Sequence, residues 1–260
     1  MTIPTIFDSH AHYDDDRFDP DREELISGLF SGPVEYIINP ACDLASFQKV
    51  LQLAHTFPRF YAAVGIHPHS ASEAEKDLEQ TLARLATDPK VVAIGEIGLD
   101  YHYDFSPRPR QLEVFSRQLA LAKQLELPAI IHSREATADV LALLDAHRPT
   151  GVVHCFSGSA ETAKELLEMG YYIGFTGSVT FKNARKLVEA AAVIPDDRLL
   201  IETDAPYMAP EPYRGRRNDS SLIPAIAMRL AEIRGATPDE ILRITRENAL
   251  RLFSRIGAEI

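Results

Sequence analysis

The chain has no tryptophan and only two cysteines, Cys42 and Cys155. Two thiols cannot build a disulfide framework, so the chain reads as a protein of a reducing, cytoplasmic compartment. Both cysteines read as small buried hydrophobes, and strand alternation is expected to turn Cys155 away from its neighbour His154. There is no apolar run long enough to span a membrane, and the opening MTIPTIFDSHAH lacks a basic segment leading into a long apolar stretch. Positive charge is also scarce: 27 Lys and Arg face 38 Asp and Glu, for a formal net charge of -11. That excludes a protein that coats nucleic acid through a general basic field. It does not exclude an enzyme acting on nucleic acid, because bound cations would offset carboxylates locally. No linker or low-complexity tract divides the sequence, so residues 1–260 are expected to form one domain, with a monomer as the default assembly.

What the chain does have is rhythm. Eight short apolar runs, at 5–8, 34–39, 60–65, 91–96, 129–132, 151–155, 171–175 and 199–202, are continuous in Val, Ile, Leu, Phe or Tyr, as strands covered on both faces should be. Segments of helical period separate them, at 44–54, 78–86, 111–125, 138–146, 162–169 and 184–192, followed by two more at 222–234 and 239–253. In 111–125, Leu112, Phe115, Leu119 and Ala122 recur at spacings of three and four and make one apolar stripe. Strands alternating with helices over this length predict a (β/α)8 TIM barrel. The runner-up, an open doubly wound sheet, would carry a glycine-rich turn after its first strand, where this chain has Asp8-Ser9-His10-Ala11-His12.

The ends of these runs carry the chemistry. His10 and His12 follow the first, Glu96 ends the fourth, His132 the fifth, His154 lies at the end of the sixth, and Asp204 follows the eighth. Barrel enzymes collect their reactive groups at the carboxyl ends of strands. Residues two apart in an extended segment share a face, so His10 and His12 can reach one ion. Six ligands exceed what one catalytic ion takes while keeping an open position, which predicts two divalent ions, Mg²⁺, Mn²⁺ or Zn²⁺. Glu96 is the expected bridge, since no lysine occupies these strand ends. His67 and His69, flanking Pro68, are candidates for substrate phosphate or for support of the ligands, and Arg134 for gripping phosphate.

The motifs DSHAH, GIHPH, GEIGLDYHYD, IIHSRE, HCFSGS and ETDAPYMAP, in this order over nearly the whole chain, resemble the TatD family of metal-dependent deoxyribonucleases within the amidohydrolase-like barrels. The resemblance implies a TIM barrel and hydrolysis of DNA phosphodiesters, typically 3′ to 5′ at single-stranded ends. It also implies metal roles for His10, His12, Glu96, His132, His154 and Asp204. The expected mechanism is attack by a metal-activated water that Asp204 orients or deprotonates, with Glu96 as the other catalytic carboxylate. One departure is visible: after the segment from Tyr213 to Asn218 the family usually continues Glu-Pro, whereas this chain has Asp219-Ser220, which puts the shape of that loop in question.

Basic residues after the strands, Arg108, Arg110, Arg134, Lys182, Arg185, Arg214, Arg216 and Arg217, predict a positive rim, with Arg214 and Arg217 expected to touch substrate. Tyr101, Tyr103, Phe105, Phe156, Phe181, Tyr207 and Tyr213 accompany them and offer faces on which bases could stack. The alternative reading keeps the metals and changes the substrate, to an ester or amide such as the linkage in a D-aminoacyl-tRNA. A non-enzymatic scaffold is the weakest alternative, because closed structural zinc sites are usually thiolate-rich.

Overall fold

The computed structural model describes residues 5–257, so the expectation of one domain over 1–260 extends beyond the described residues at both ends. In chain order the elements are β1 (Ile6–Asp8), α1 (Arg22–Ser31), β2 (Val34–Pro40), α2 (Ser46–Thr56), β3 (Phe60–Val64), α3 (Leu78–Leu85), β4 (Val91–Asp100) and α4 (Arg108–Gln124). Then follow β5 (Ala129–Arg134), α5 (Thr137–His147), β6 (Gly151–Val153), α6 (Ala160–Glu168), β7 (Tyr172–Phe175), α7 (Arg185–Val193), β8 (Leu199–Ile201), α8 (Ile223–Arg234) and α9 (Pro238–Leu252).

The eight strands are parallel and pair strictly in sequence order, β1 to β8. An open doubly wound sheet would reverse that order at a switch point, and none occurs. The ring is completed just past the strand ends: Ser9 N donates to Ile201 O at 3.4 Å, Asp204 N to His10 O at 2.8 Å and His12 N to Ala205 O at 2.6 Å. This is the (β/α)8 barrel that the alternation of runs predicts.

Each strand alternates between two apolar environments. Phe7, Ile38, Tyr61, Ala63, Val92, Ile130, Val152, Tyr172 and Leu200 come from all eight strands yet form one cluster with Leu252, Phe253 and Ile256. Only the barrel interior brings side chains of all eight strands together, so the carboxyl-terminal segment closes the amino-terminal end of the barrel. Arg255 fastens it by donating to the carbonyls of Ala86 and Val91, both at 2.8 Å. The opposite faces, with Ile6, Ile37, Ala62, Ile94, Ile131, Val153, Ile173 and Leu199, pack in the larger cluster under the helices.

Local signals explain the helix ends. Thr237 caps α9 by accepting from Glu240 N, with Pro238 in the first turn. Gly235 ends α8 at φ 67°, a conformation open to glycine. α1 is not among the expected helices, because Ser27, Gly28 and Ser31 interrupt its pattern and only Ile26 and Leu29 are buried. Each strand also differs from its expected run at one end or more, and two of the larger shifts bear on the site: β4 runs on to Asp100, and β5 takes in Arg134 instead of releasing it to a loop.

Candidate metal centre

The interior pattern continues beyond the apolar plug and changes in chemistry. Two residues past Ile130, Val152 and Leu200, on the same side of the pleat, stand His132, His154 and Glu202. The ladder persists that far, since His154 N bonds Ile131 O at 3.0 Å and Glu202 N bonds Phe175 O at 3.1 Å. At the centre of this layer lies Glu96, with its side chain only 4% exposed. Its Oε2 faces His10 Nε2 at 3.4 Å and His12 Nε2 at 3.5 Å. Its Oε1 faces His154 Nε2 at 2.7 Å, His132 Nδ1 at 2.9 Å and His67 Nε2 at 3.4 Å. One carboxylate thus addresses two sets of imidazoles, one oxygen to each.

Asp204, at φ 55°, turns its Oδ1 to within 3.7 Å of His10 Nε2 and 3.6 Å of His12 Nε2, and its side chain is 14% exposed. All six strand-end residues therefore converge. Three groups have potential ligand atoms within 4.8 Å of one another: His10, His12 and Glu96; His10, His154 and Asp204; and His67, Glu96 and His132. Nitrogen and carboxylate donors without a thiolate fit Zn²⁺ or Mn²⁺, and Mg²⁺ if oxygens dominate. His10 Nδ1 and His154 Nδ1 are buried and make no hydrogen bond among the described residues. Burial raises the Glu96 carboxyl, but the imidazoles of His154, His67 and His10 overcome this and hold it well below its ordinary range. Burial pushes His67 down to about 4 and also lowers His10, which favours neutral rings with a free lone pair.

Three buried carboxylates behind this layer were not singled out in the sequence. Glu202, fully buried, accepts from Cys155 N at 2.6 Å and Ser9 Oγ at 3.1 Å, and lies 3.7 Å from His154 Nδ1. Asp100 Oδ2 meets His132 Nε2 at 3.2 Å and His69 Nε2 at 2.8 Å. Asp8 Oδ1 accepts from Thr203 N at 3.0 Å and His10 N at 3.3 Å, while Oδ2 accepts from Thr203 Oγ1 at 2.6 Å and Ser220 Oγ at 2.7 Å. Asp8 thereby ties the segment bearing His10 to the segment bearing Asp204, and burial pushes its carboxyl up to about 7. The available signal was the same as for the ligands, acidic residues beside the ends of apolar runs. Such groups fix the orientation of metal-binding side chains.

The cysteines also depart from expectation. Cys42 Sγ lies 3.9 Å from His12 Nδ1, with its thiol pushed up to about 11 by burial. β6 ends at Val153, so strand alternation stops before Cys155, whose φ of 42° leaves its Sγ 3.5 Å from Thr176 Oγ1. Both are half-buried rather than members of the core.

His67 joins the cluster around Glu96, and His69 reaches it through Asp100. Arg134 places its guanidinium 4.8 Å from the Tyr103 ring, and Arg214 stands 4.3 Å from the Phe181 ring. Arg217 is held in a bidentate pair with Asp21 at 2.7 and 2.6 Å. Much of the expected positive rim is neutralised in the same way: Arg108 pairs with Asp104, Arg110 with Glu113 and Arg185 with Glu189. Of the seven aromatics, Phe156 is buried while Tyr103, Phe105, Tyr207 and Tyr213 are exposed.

Residues 7–254 match the family model described as TatD related DNase. The chain belongs to the TatD family. It is a metal-dependent hydrolase of that family. The chain is 45% identical over 251 residues to the uncharacterized metal-dependent hydrolase YabD of Bacillus subtilis, covering 95% of this chain and 98% of that protein. It is 36% identical over 256 residues to the 3′-5′ ssDNA/RNA exonuclease TatD of Citrobacter rodentium, covering 95% and 97%. Among solved structures, the TatD homologue YjjV of Escherichia coli superposes with a TM-score of 0.89 at 36% identity, over 97% of this chain and 99% of that one. Membership of a family of hydrolases excludes the non-enzymatic scaffold. No helix among the described residues is long and apolar enough to cross a membrane.

Proposed function

We propose that this TatD-family hydrolase is a 3′ to 5′ exonuclease that removes nucleotides from single-stranded DNA ends, using two divalent ions and acting as a cytoplasmic monomer. The observation that carries this reading is Glu96, whose two oxygens face His10 and His12 on one side and His132, His154 and His67 on the other. A single carboxylate between two imidazole sets suits a bridge between two ions. Such ions, when bound, lower the pKa of a water and neutralise charge on the phosphate oxygens. The similarity to a relative named an exonuclease on ssDNA and RNA supports the choice of substrate.

The residues divide the work. Of the cluster's two catalytic carboxylates, Asp204 is the more exposed, 14% against 4% for Glu96, and it accepts the proton of the attacking water. Arg134 and Arg214, which pair with aromatic rings, orient the strand through its phosphates.

The test is degradation of 5′- and 3′-labelled single-stranded oligonucleotides across a titration of Mg²⁺, Mn²⁺ and Zn²⁺, with D-aminoacyl-tRNA in parallel. Stepwise shortening from the 3′ end is expected, and Asp204→Asn should lower kcat by at least ~100-fold with an unchanged circular dichroism spectrum. Cleavage of the aminoacyl ester alone would overturn the nuclease reading, and near-normal turnover by the variant would remove Asp204 from the mechanism.

A further inference from the structure

Phe105 is 67% exposed and Tyr103 is 48% exposed, yet the loop carrying them is firmly held. Asp100 Oδ1 accepts from His102 N at 3.0 Å and Tyr103 N at 2.9 Å, while its Oδ2 holds His69 and His132. Asp104, at φ 50°, is clamped by Arg108 with bonds of 2.8 to 3.2 Å, and Arg108 also donates to Tyr101 O at 3.3 Å. The two rings lie nearly parallel, 12° apart with centroids at 5.1 Å. An exposed aromatic pair fixed in one orientation by its backbone presents a face that solvent gives no reason to keep there.

The pair is continuous with the metal centre. The Phe105 ring stands edge-on to His69 at 4.9 Å, and His69 is 6.3 Å from the ring of His132, which bonds Glu96. Arg134, whose guanidinium lies 4.8 Å from the Tyr103 ring, has no carboxylate partner among the described residues. A flat apolar face that reaches the cluster through His69, and a cation lying against that face, therefore stand together at the barrel mouth. Among ligands of a phosphodiesterase, a nucleotide has a π-face for the first and a phosphate for the second.

We infer that Phe105 and Tyr103 are the stacking platform for the terminal base of a single-stranded polynucleotide whose end phosphodiester lies at the Glu96 cluster. This rests on the nuclease reading above. Stacking needs an unpaired base and accepts any base identity, so the platform selects for strand state and not for sequence.

The chain's lack of tryptophan supplies the test. Phe105→Trp places a single reporter at the platform, in the full chain and at an exposed position where the core is untouched. With Mg²⁺ and a cleavage-resistant phosphorothioate oligonucleotide, the emission is expected to be quenched on binding. The same oligonucleotide with an abasic 3′ terminal residue should leave the emission unchanged. On cleavable single strands, Phe105→Ala should raise KM about tenfold with a smaller change in kcat, and the abasic substrate should erase that difference in KM. Unaltered emission at saturating oligonucleotide, together with an unaltered KM for Phe105→Ala while the unsubstituted chain cleaves normally, overturns the platform alone. Failure of the unsubstituted chain to cleave any oligonucleotide overturns the nuclease reading and the platform together.

Discussion

Replacing Gly174 by alanine should damage the protein far more than the loss of one glycine in a short strand suggests. Gly174 follows Tyr172 by two residues in β7 and so faces the barrel interior beside Glu202. A methyl group there would lie 2.8 Å from Glu202 Oε2 and 2.9 Å from its Cδ and Oε1. The carboxylate has nowhere to go, being fully buried and fixed by Cys155 N at 2.6 Å and Ser9 Oγ at 3.1 Å. Overpacking of this kind costs about 1–3 kcal/mol, and breaking one hydrogen bond to a buried charged group costs about 1.5–3 kcal/mol more. The expected loss is about 2.5–6 kcal/mol, or roughly 5–24 °C in Tm for a chain of this size. Because Glu202 also abuts His154, Mn²⁺ affinity should fall by about tenfold. Scanning calorimetry and metal titration by calorimetry measure both. Gly28→Ala is the contrast: nothing lies within 4 Å of the added carbon, and helix α1 should gain up to about 1 kcal/mol. A Gly174→Ala protein that melts within about 2 °C of the parent and binds Mn²⁺ equally well would refute the reasoning.

Two other perturbations test the frame around the site. Ser220 Oγ donates to Asp8 Oδ2 at 2.7 Å and lies 2.8 Å from Tyr13 OH, which accepts from Ser220 N at 2.9 Å. Ser220→Ala should therefore cost about 1–3 kcal/mol by leaving buried polar groups short of partners, and Ser220→Pro should cost more by removing the amide donor as well, read as shifts in urea midpoint. On the barrel exterior, the Arg246 guanidinium holds the Glu35 carboxyl below its ordinary range, with bonds of 2.5 and 2.7 Å. A depressed carboxyl stabilises the fold above its unfolded value and loses that contribution as pH falls through the folded one. The stability gap between the parent and Glu35→Gln should be constant near neutrality and narrow below pH 4.5, and a gap that widens on acidification would contradict the pairing.

Much of the architecture could be read from period alone. Continuous apolar runs at 91–96 and 129–132 mark doubly covered strands, and the stripe from Leu112 to Ala122 marks a covering helix. The boundaries were less legible, because β4 carries on through Ile97, Gly98 and Leu99 to Asp100 after its polar Glu96, and nothing local announces that continuation. α1 escaped notice because its apolar face is narrow and broken by small residues. Arg217, expected to touch substrate, also pairs with Asp21, a partner that an arginine near a strand end does not announce in the sequence. Alternation does not carry through to Cys155, because β6 ends at Val153.

By itself, the sequence determined the alternation of elements, the eight-stranded closure it requires, and the residue types waiting at the strand ends. Those follow from chain-local physics, since side-chain period and donor chemistry are properties of neighbours along the chain. Only the tertiary structure decided that Glu96 turns one oxygen to His10 and His12 and the other to His132 and His154, and that Glu202, Asp8 and Asp100 stand behind them. It likewise decided which arginines are spent on nearby carboxylates and which aromatic pair remains facing solvent. These are distances between groups far apart in the chain, and they exist only once the barrel closes and brings every strand end to one rim.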